Sequence, residues 1–70
     1  MKITRANDMN GDVLTIKTRI RGWHDNKEFT AVITGFEYYQ GDDCIRVVAI
    51  RDDDGTEVKT FNDVVVRFKS

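Results

Sequence analysis

The sequence predicts an all-β fold: a single small five-stranded barrel with a short helical turn before the last strand. Three observations carry that expectation. Apolar and polar residues alternate with a period of two along most of the chain, and no stretch sustains a helical period. Turn residues interrupt the alternation at short intervals. With 70 residues, the sheet must close on itself to hide its edges.

Residues 1–10 form an N-terminal arm or short extra strand and residues 11–70 the barrel; "KIT" suits that strand, and "ANDMNGD", across the boundary, reads as a loop. In Val13–Ile20, Leu14, Ile16, Thr18 and Ile20 share one parity, while Lys17 and Arg19 take the other, a parity that Arg21 extends. That is a strand with one buried face. The polar stretch His24–Glu28 reads as a loop. Phe29–Tyr39 is rich in β-branched and aromatic residues and forms the second strand. Gln40–Asp43 is a turn, and Cys44–Ile50 alternates so little that it reads as a strand enclosed on both sides. Asp52–Gly55 closes a hairpin with an Asp-Gly pair, favoured where the backbone needs positive φ. Thr56–Phe61 is the fourth strand. Asn62–Val64 forms the helical turn, capped by Asn62 or Asp63. In the last strand Val64, Val66 and Phe68 are expected to face inward, and Val65, Arg67 and Lys69 outward. A bulge at Gly22 or Gly35 would reverse the face of the residues beyond it.

Composition excludes several chemistries. A chain this short buries only about 60% of its unfolded surface, so its core is thin. Cys44 and His24 are the sole residues of their kinds, which rules out an intrachain disulfide and a Cys/His zinc site within one chain. A lone cysteine suits a reducing compartment. There is no apolar run of membrane-spanning length and no secretory leader, so a cytoplasmic location is expected, without membrane attachment. The net charge of −1 is unevenly divided. Residues 1–27 carry six basic and three acidic side chains (+3), and residues 28–70 carry five basic and nine acidic ones (−4).

The segment Glu28–Val65 resembles the Tudor and KOW branch of the SH3-like barrels. The likeness lies in the second strand (Phe29, Ala31, Ile33), the hairpin around "IRVVAIRDDDG", and "FNDVV" before the last strand. The resemblance implies an SH3-like barrel. Tudor domains that read methylated side chains place a tyrosine wall in this hairpin, whereas this chain has Asp53 there. An aspartate attracts a cation but presents no ring face to it, which argues against methyl-ligand reading.

No catalytic, cofactor or metal motif is present. The carboxylates of Asp52, Asp53 and Asp54, with Asp42 and Asp43, do not fit a calcium loop: with Gly55 as its sixth residue, Ile50 and Phe61 occupy positions that need oxygen ligands. They read as solvated turns. His24 and Cys44 lack the partners of a nucleophilic site, and the five glycines are isolated, with no phosphate loop among them. Not an enzyme, then, but a binder is expected. Lys17, Arg19 and Arg21 form the one concentrated basic strip, which ends on Trp23, the only tryptophan. Tyr38 and Tyr39 are adjacent and point to opposite faces, so one of them is exposed. Phe29, Phe36 and Phe68 are expected to serve mainly as packing.

These residues suit a non-enzymatic module that docks on another protein, as an inhibitor or accessory factor of the kind phages and mobile elements encode. The alternative is a nucleic-acid-binding barrel in which the strip meets phosphates and an exposed aromatic stacks on a base. A few cations on a net-negative chain supply a modest electrostatic term, which favours the first reading. The chain is expected to be a monomer or a homodimer.

Overall fold

The computed structural model describes residues 3–39, 41 and 44–68, with backbone only for Tyr39 and Cys44. Lys2, Lys69 and the turn carboxylates Asp42 and Asp43 lie outside the described residues. The fold is all-β. Among the described residues seven strands run β1 (Arg5–Asn7), β2 (Val13–Thr15), β3 (Arg19–His24), β4 (Lys27–Tyr39), β5 (Cys44–Arg51), β6 (Glu57–Phe61) and β7 (Val66–Arg67), with a 3-10 turn at Asn62–Val64. They form a five-stranded antiparallel sheet of order β6-β5-β4-β3-β7 and a separate β1-β2 ribbon. The extra strand near the N-terminus falls at Arg5–Asn7 rather than at "KIT".

The expected first strand is two strands. Lys17 sits at φ +78, a backbone region that an L-residue enters only in turns. The Thr18 amide donates to the Thr15 carbonyl at 3.1 Å, and the Lys17 amide donates to the Ile33 carbonyl at 2.7 Å. This corner moves β2 into the ribbon and β3 into the sheet, and leaves Ile16 exposed instead of buried. Sequence alternation is blind to such a break, because the residues on either side keep their parity.

The expected loop His24–Glu28 shrinks to two residues. Asp25 and Asn26 have φ of +51 and +64, the signature of a type I′ turn, whose twist matches the flanking strands. Lys27 and Glu28 are therefore already in β4, and Trp23 stands opposite Glu28. The register of β4 on β5 shifts between Ile33 and Gly35, a bulge that bends the 13-residue β4. No shift occurs at Gly22.

Leu14, Ile20, Phe29, Ala31, Ile33, Val47, Ala49 and Val65 form the core, with Phe36 and Val58 packed against it. Leu14 comes from β2, so the ribbon contributes to the core on the sheet's inner face. At the end of the chain Val64, Val65 and Phe68 depart from the expected parity, whereas Arg67 is exposed as expected. Val65 is 1% exposed and belongs to the core, whereas Val64 is 47% exposed. Phe68 lies on the outer face over Arg19 and Arg21, not inside. The 3-10 turn has no side-chain cap; the Asn62 side chain instead donates from Nδ2 to the Asn7 carbonyl at 2.6 Å and ties the turn to the ribbon.

Gly22 faces the core opposite Phe29. A Cβ there would stand 2.7 Å from Cζ and 3.0 Å from Cε1 of the Phe29 ring. Gly22→Ala is therefore expected to lower stability by about 1–2 kcal/mol, although alanine is otherwise the better strand residue. A double-mutant cycle with Phe29→Leu, read by chemical denaturation, should show a coupling of about 1 kcal/mol. Simple additivity would mean that the ring tilts aside without cost.

Candidate functional site

On β3 the parity that buries Ile20 and Gly22 turns Arg19, Arg21 and Trp23 to the outer face. Neither arginine is a free cation. Arg19 Nε lies 3.2 Å from Asp52 Oδ2, and the same Oδ2 accepts the Thr30 hydroxyl at 2.8 Å. Arg21 Nε lies 3.1 Å from Glu28 Oε1. That contact is Coulombic rather than a hydrogen bond: the buried Nε–H is not aligned with the carboxylate and finds no acceptor. Both guanidinium groups lie over Phe68, with Cζ 5.9 Å (Arg19) and 5.2 Å (Arg21) from the ring centroid. Exposed ion pairs of this kind are each worth about 0–1 kcal/mol. Their larger effect is to hold both arginines in a charge-balanced surface that ends on Trp23, itself 49% exposed.

The other expected site residues are dispersed. Lys17 belongs to the corner before β3, not to the strip, and has no ion pair among the described residues. Tyr38 is 54% exposed but opposite Ile45, at the far end of β4 from the Trp23–Glu28 pair. The side chain of Tyr39 lies outside the described residues. The structure thus brings Arg19, Arg21 and Trp23 together and separates Lys17 and Tyr38 from them.

Sequence reasoning missed Phe68, Glu28 and Asp52 as parts of this surface. One signal was available: a two-residue turn at Asp25-Asn26 sets the register that brings Glu28 beside Arg21. The positions of Phe68 and Asp52 depend on contacts distant in sequence.

The acidic hairpin is occupied by its own neighbours. Asp52 holds Arg19, and Asp53 accepts two hydrogen bonds from Arg51, at 3.2 Å (Nε) and 2.8 Å (Nη2). Asp54 Oδ1 accepts from the Thr56 hydroxyl and amide, at 2.7 and 3.0 Å. These bonds, the hydroxyl first, hold the Asp54 carboxyl below its ordinary pKa. Among the described residues no group of three or more His, Cys, Asp or Glu is placed to hold a metal ion. His24 Nε2 lies 3.4 Å from Asp25 Oδ2, with both side chains in solvent.

A cleft of about 280 Å³ opens between the tip of the β3-β4 hairpin and β6, lined by Trp23, His24, Phe29, Arg51 and Val58–Thr60. Arg51 lies over the Phe29 ring at 5.2 Å and forms part of its wall.

No family model, curated protein or solved structure matches the chain. Among the described residues, no helix is long and apolar enough to cross a membrane.

Proposed function

We propose that the chain is a small SH3-like barrel of the Tudor and KOW type that acts without catalysis, by docking on another protein through Arg19, Arg21 and Trp23. Support for the barrel comes from the bulge in β4 and from the ribbon whose Leu14 joins the core. The docking reading rests on one observation. Both arginines of β3 are paired with carboxylates and stacked on Phe68, beside a half-exposed tryptophan. A groove for phosphates needs unpaired cations, since affinity there follows the number of phosphates neutralised. A protein surface instead gains from rigid, amphipathic Trp and Arg side chains whose charges are already balanced. A cytoplasmic setting and an inhibitory or accessory role of the phage or mobile-element kind accord with the small size and the single cysteine.

The test has two arms. The protein should show no measurable binding to a random single-stranded oligonucleotide pool at 50 mM salt, conditions that favour phosphate contacts. Affinity purification from the native host should retain a protein partner, and Trp23→Ala should weaken that complex by about 2 kcal/mol, roughly thirtyfold. Oligonucleotide binding that vanishes in the triple variant Lys17→Ala, Arg19→Ala, Arg21→Ala would replace this reading with the nucleic-acid one.

A further inference from the structure

The two edges of the five-stranded sheet are treated differently. At β7, the Arg67 amide that points away from β3 donates to Asp8 Oδ2 at 2.7 Å, and the Val65 carbonyl accepts the Met9 amide at 3.1 Å. The loop after β1 therefore seals that edge. Among the described residues, the only strand partner of β6 is β5. The Arg51 amide donates to the Thr56 carbonyl at 2.9 Å, which makes Arg51 and Thr56 a hydrogen-bonded pair. Such pairs alternate along an antiparallel ladder, so Val58 and Thr60 bond to β5, while the amides and carbonyls of Glu57 and Lys59 point away from the sheet. Among the described residues these groups have no partner. An exposed row of this kind is a template for another strand.

The open edge borders the cleft, whose walls include Val58, Lys59 and Thr60 on one side and Trp23 on the other. The geometry points to strand addition: an extended segment of a partner protein pairs with β6 and places a bulky apolar side chain in the cleft, beside Trp23 and Phe29. The inference rests on the protein-binding reading and specifies how the partner is held. Three features define the occupant. Backbone groups spaced two residues apart are satisfied in series by an extended chain. The cleft has room for a large side chain. The basic side chains in its lining are already paired, His24 with Asp25, Arg51 with Asp53 and Lys59 with Glu37, so the occupant is recognised by its backbone and its apolar side chain rather than by charge. A second copy of this chain fits less well. Its β6 would turn the small Val58 and Thr60 toward the neighbour's cleft and leave it unfilled.

The experiment selects binders from a library of random twelve-residue peptides. Enriched peptides should share a bulky apolar residue, and should shift the amide resonances of Glu57 and Lys59. Methylating alternate backbone nitrogens of such a peptide should weaken binding at least tenfold in one of the two phases and little in the other. Lys59→Pro, which removes an outward amide without costing a bond to β5, should do the same, and Lys59→Ala should retain most of the affinity. If Lys59→Pro fails to fold, the methylated peptides alone decide the question. Equal binding in both methylation phases, or no enrichment, overturns strand addition, as does self-association lost in Lys59→Pro. Peptides that instead shift Arg19, Arg21 and Phe68 would overturn it while leaving the protein-docking reading in place.

Discussion

Val65→Asp is expected to leave the chain largely unfolded at 25 °C, whereas Val64→Asp should change its stability by less than about 0.5 kcal/mol. The two valines are neighbours with opposite surroundings. Val64 lies in the 3-10 turn, exposed, and Val65 follows it with extended dihedrals and enters the core beside Leu14 and Ile20. A carboxylate at 65 would lose its hydration with no cation in the core to replace it. The cost, several kcal/mol, is about what holds a domain of this size together. Circular dichroism and amide-resonance dispersion of the two variants give the answer. A folded Val65→Asp with an unfolded Val64→Asp would restore the parity that simple alternation predicts.

Asp8→Ala should cost about 3 kcal/mol by chemical denaturation, a large loss for one side chain in a 70-residue domain. Asp8 is 5% exposed and the only buried polar or charged residue among those described. Its Oδ1 accepts the amides of Asn10 and Asp12, each at 2.8 Å, and its Oδ2 accepts the Arg67 amide at 2.7 Å. One carboxylate thus shapes the turn between β1 and β2 and fastens it to β7 across most of the chain length. Alanine leaves these donors without their acceptor. The two loop amides regain water, but the Arg67 amide loses the bond that seals the β7 edge. Asp8→Asn, which keeps an acceptor oxygen but not the charge, should fall between wild type and alanine. A change below about 0.5 kcal/mol in Asp8→Ala would show that the loop stays closed without the carboxylate.

Asp8 also shows how differently residues announce themselves. Nothing in "ANDMNGD" separates Asp8 from Asp12, since both are aspartates in a polar loop. Only the approach of β7, nearly sixty residues later, gives one of them a buried role. The core strands were far more legible. Phe29, Ala31 and Ile33 alternate inward as their spacing implies, and Val47–Ala49 is buried along its length, as the weak alternation of that segment implies. The positive φ expected in the Asp-Gly hairpin is found at Gly55. At the candidate site, the outward direction of Arg19 and Arg21 and the exposure of Trp23 could be read from the sequence. Their neutralisation by Asp52 and Glu28 could not.

By itself, then, the sequence determined the β class, the inward face of the long strands and the outward face of the arginines. Each follows from local alternation, which every residue carries within its own neighbourhood. Tertiary structure decided the rest. The corner at Lys17 divides one apparent strand, Phe68 covers the arginines, Asp8 seals one sheet edge, and β6 is left open beside the cleft. All of these depend on which distant segments meet, a matter of chain closure and register that alternation does not encode.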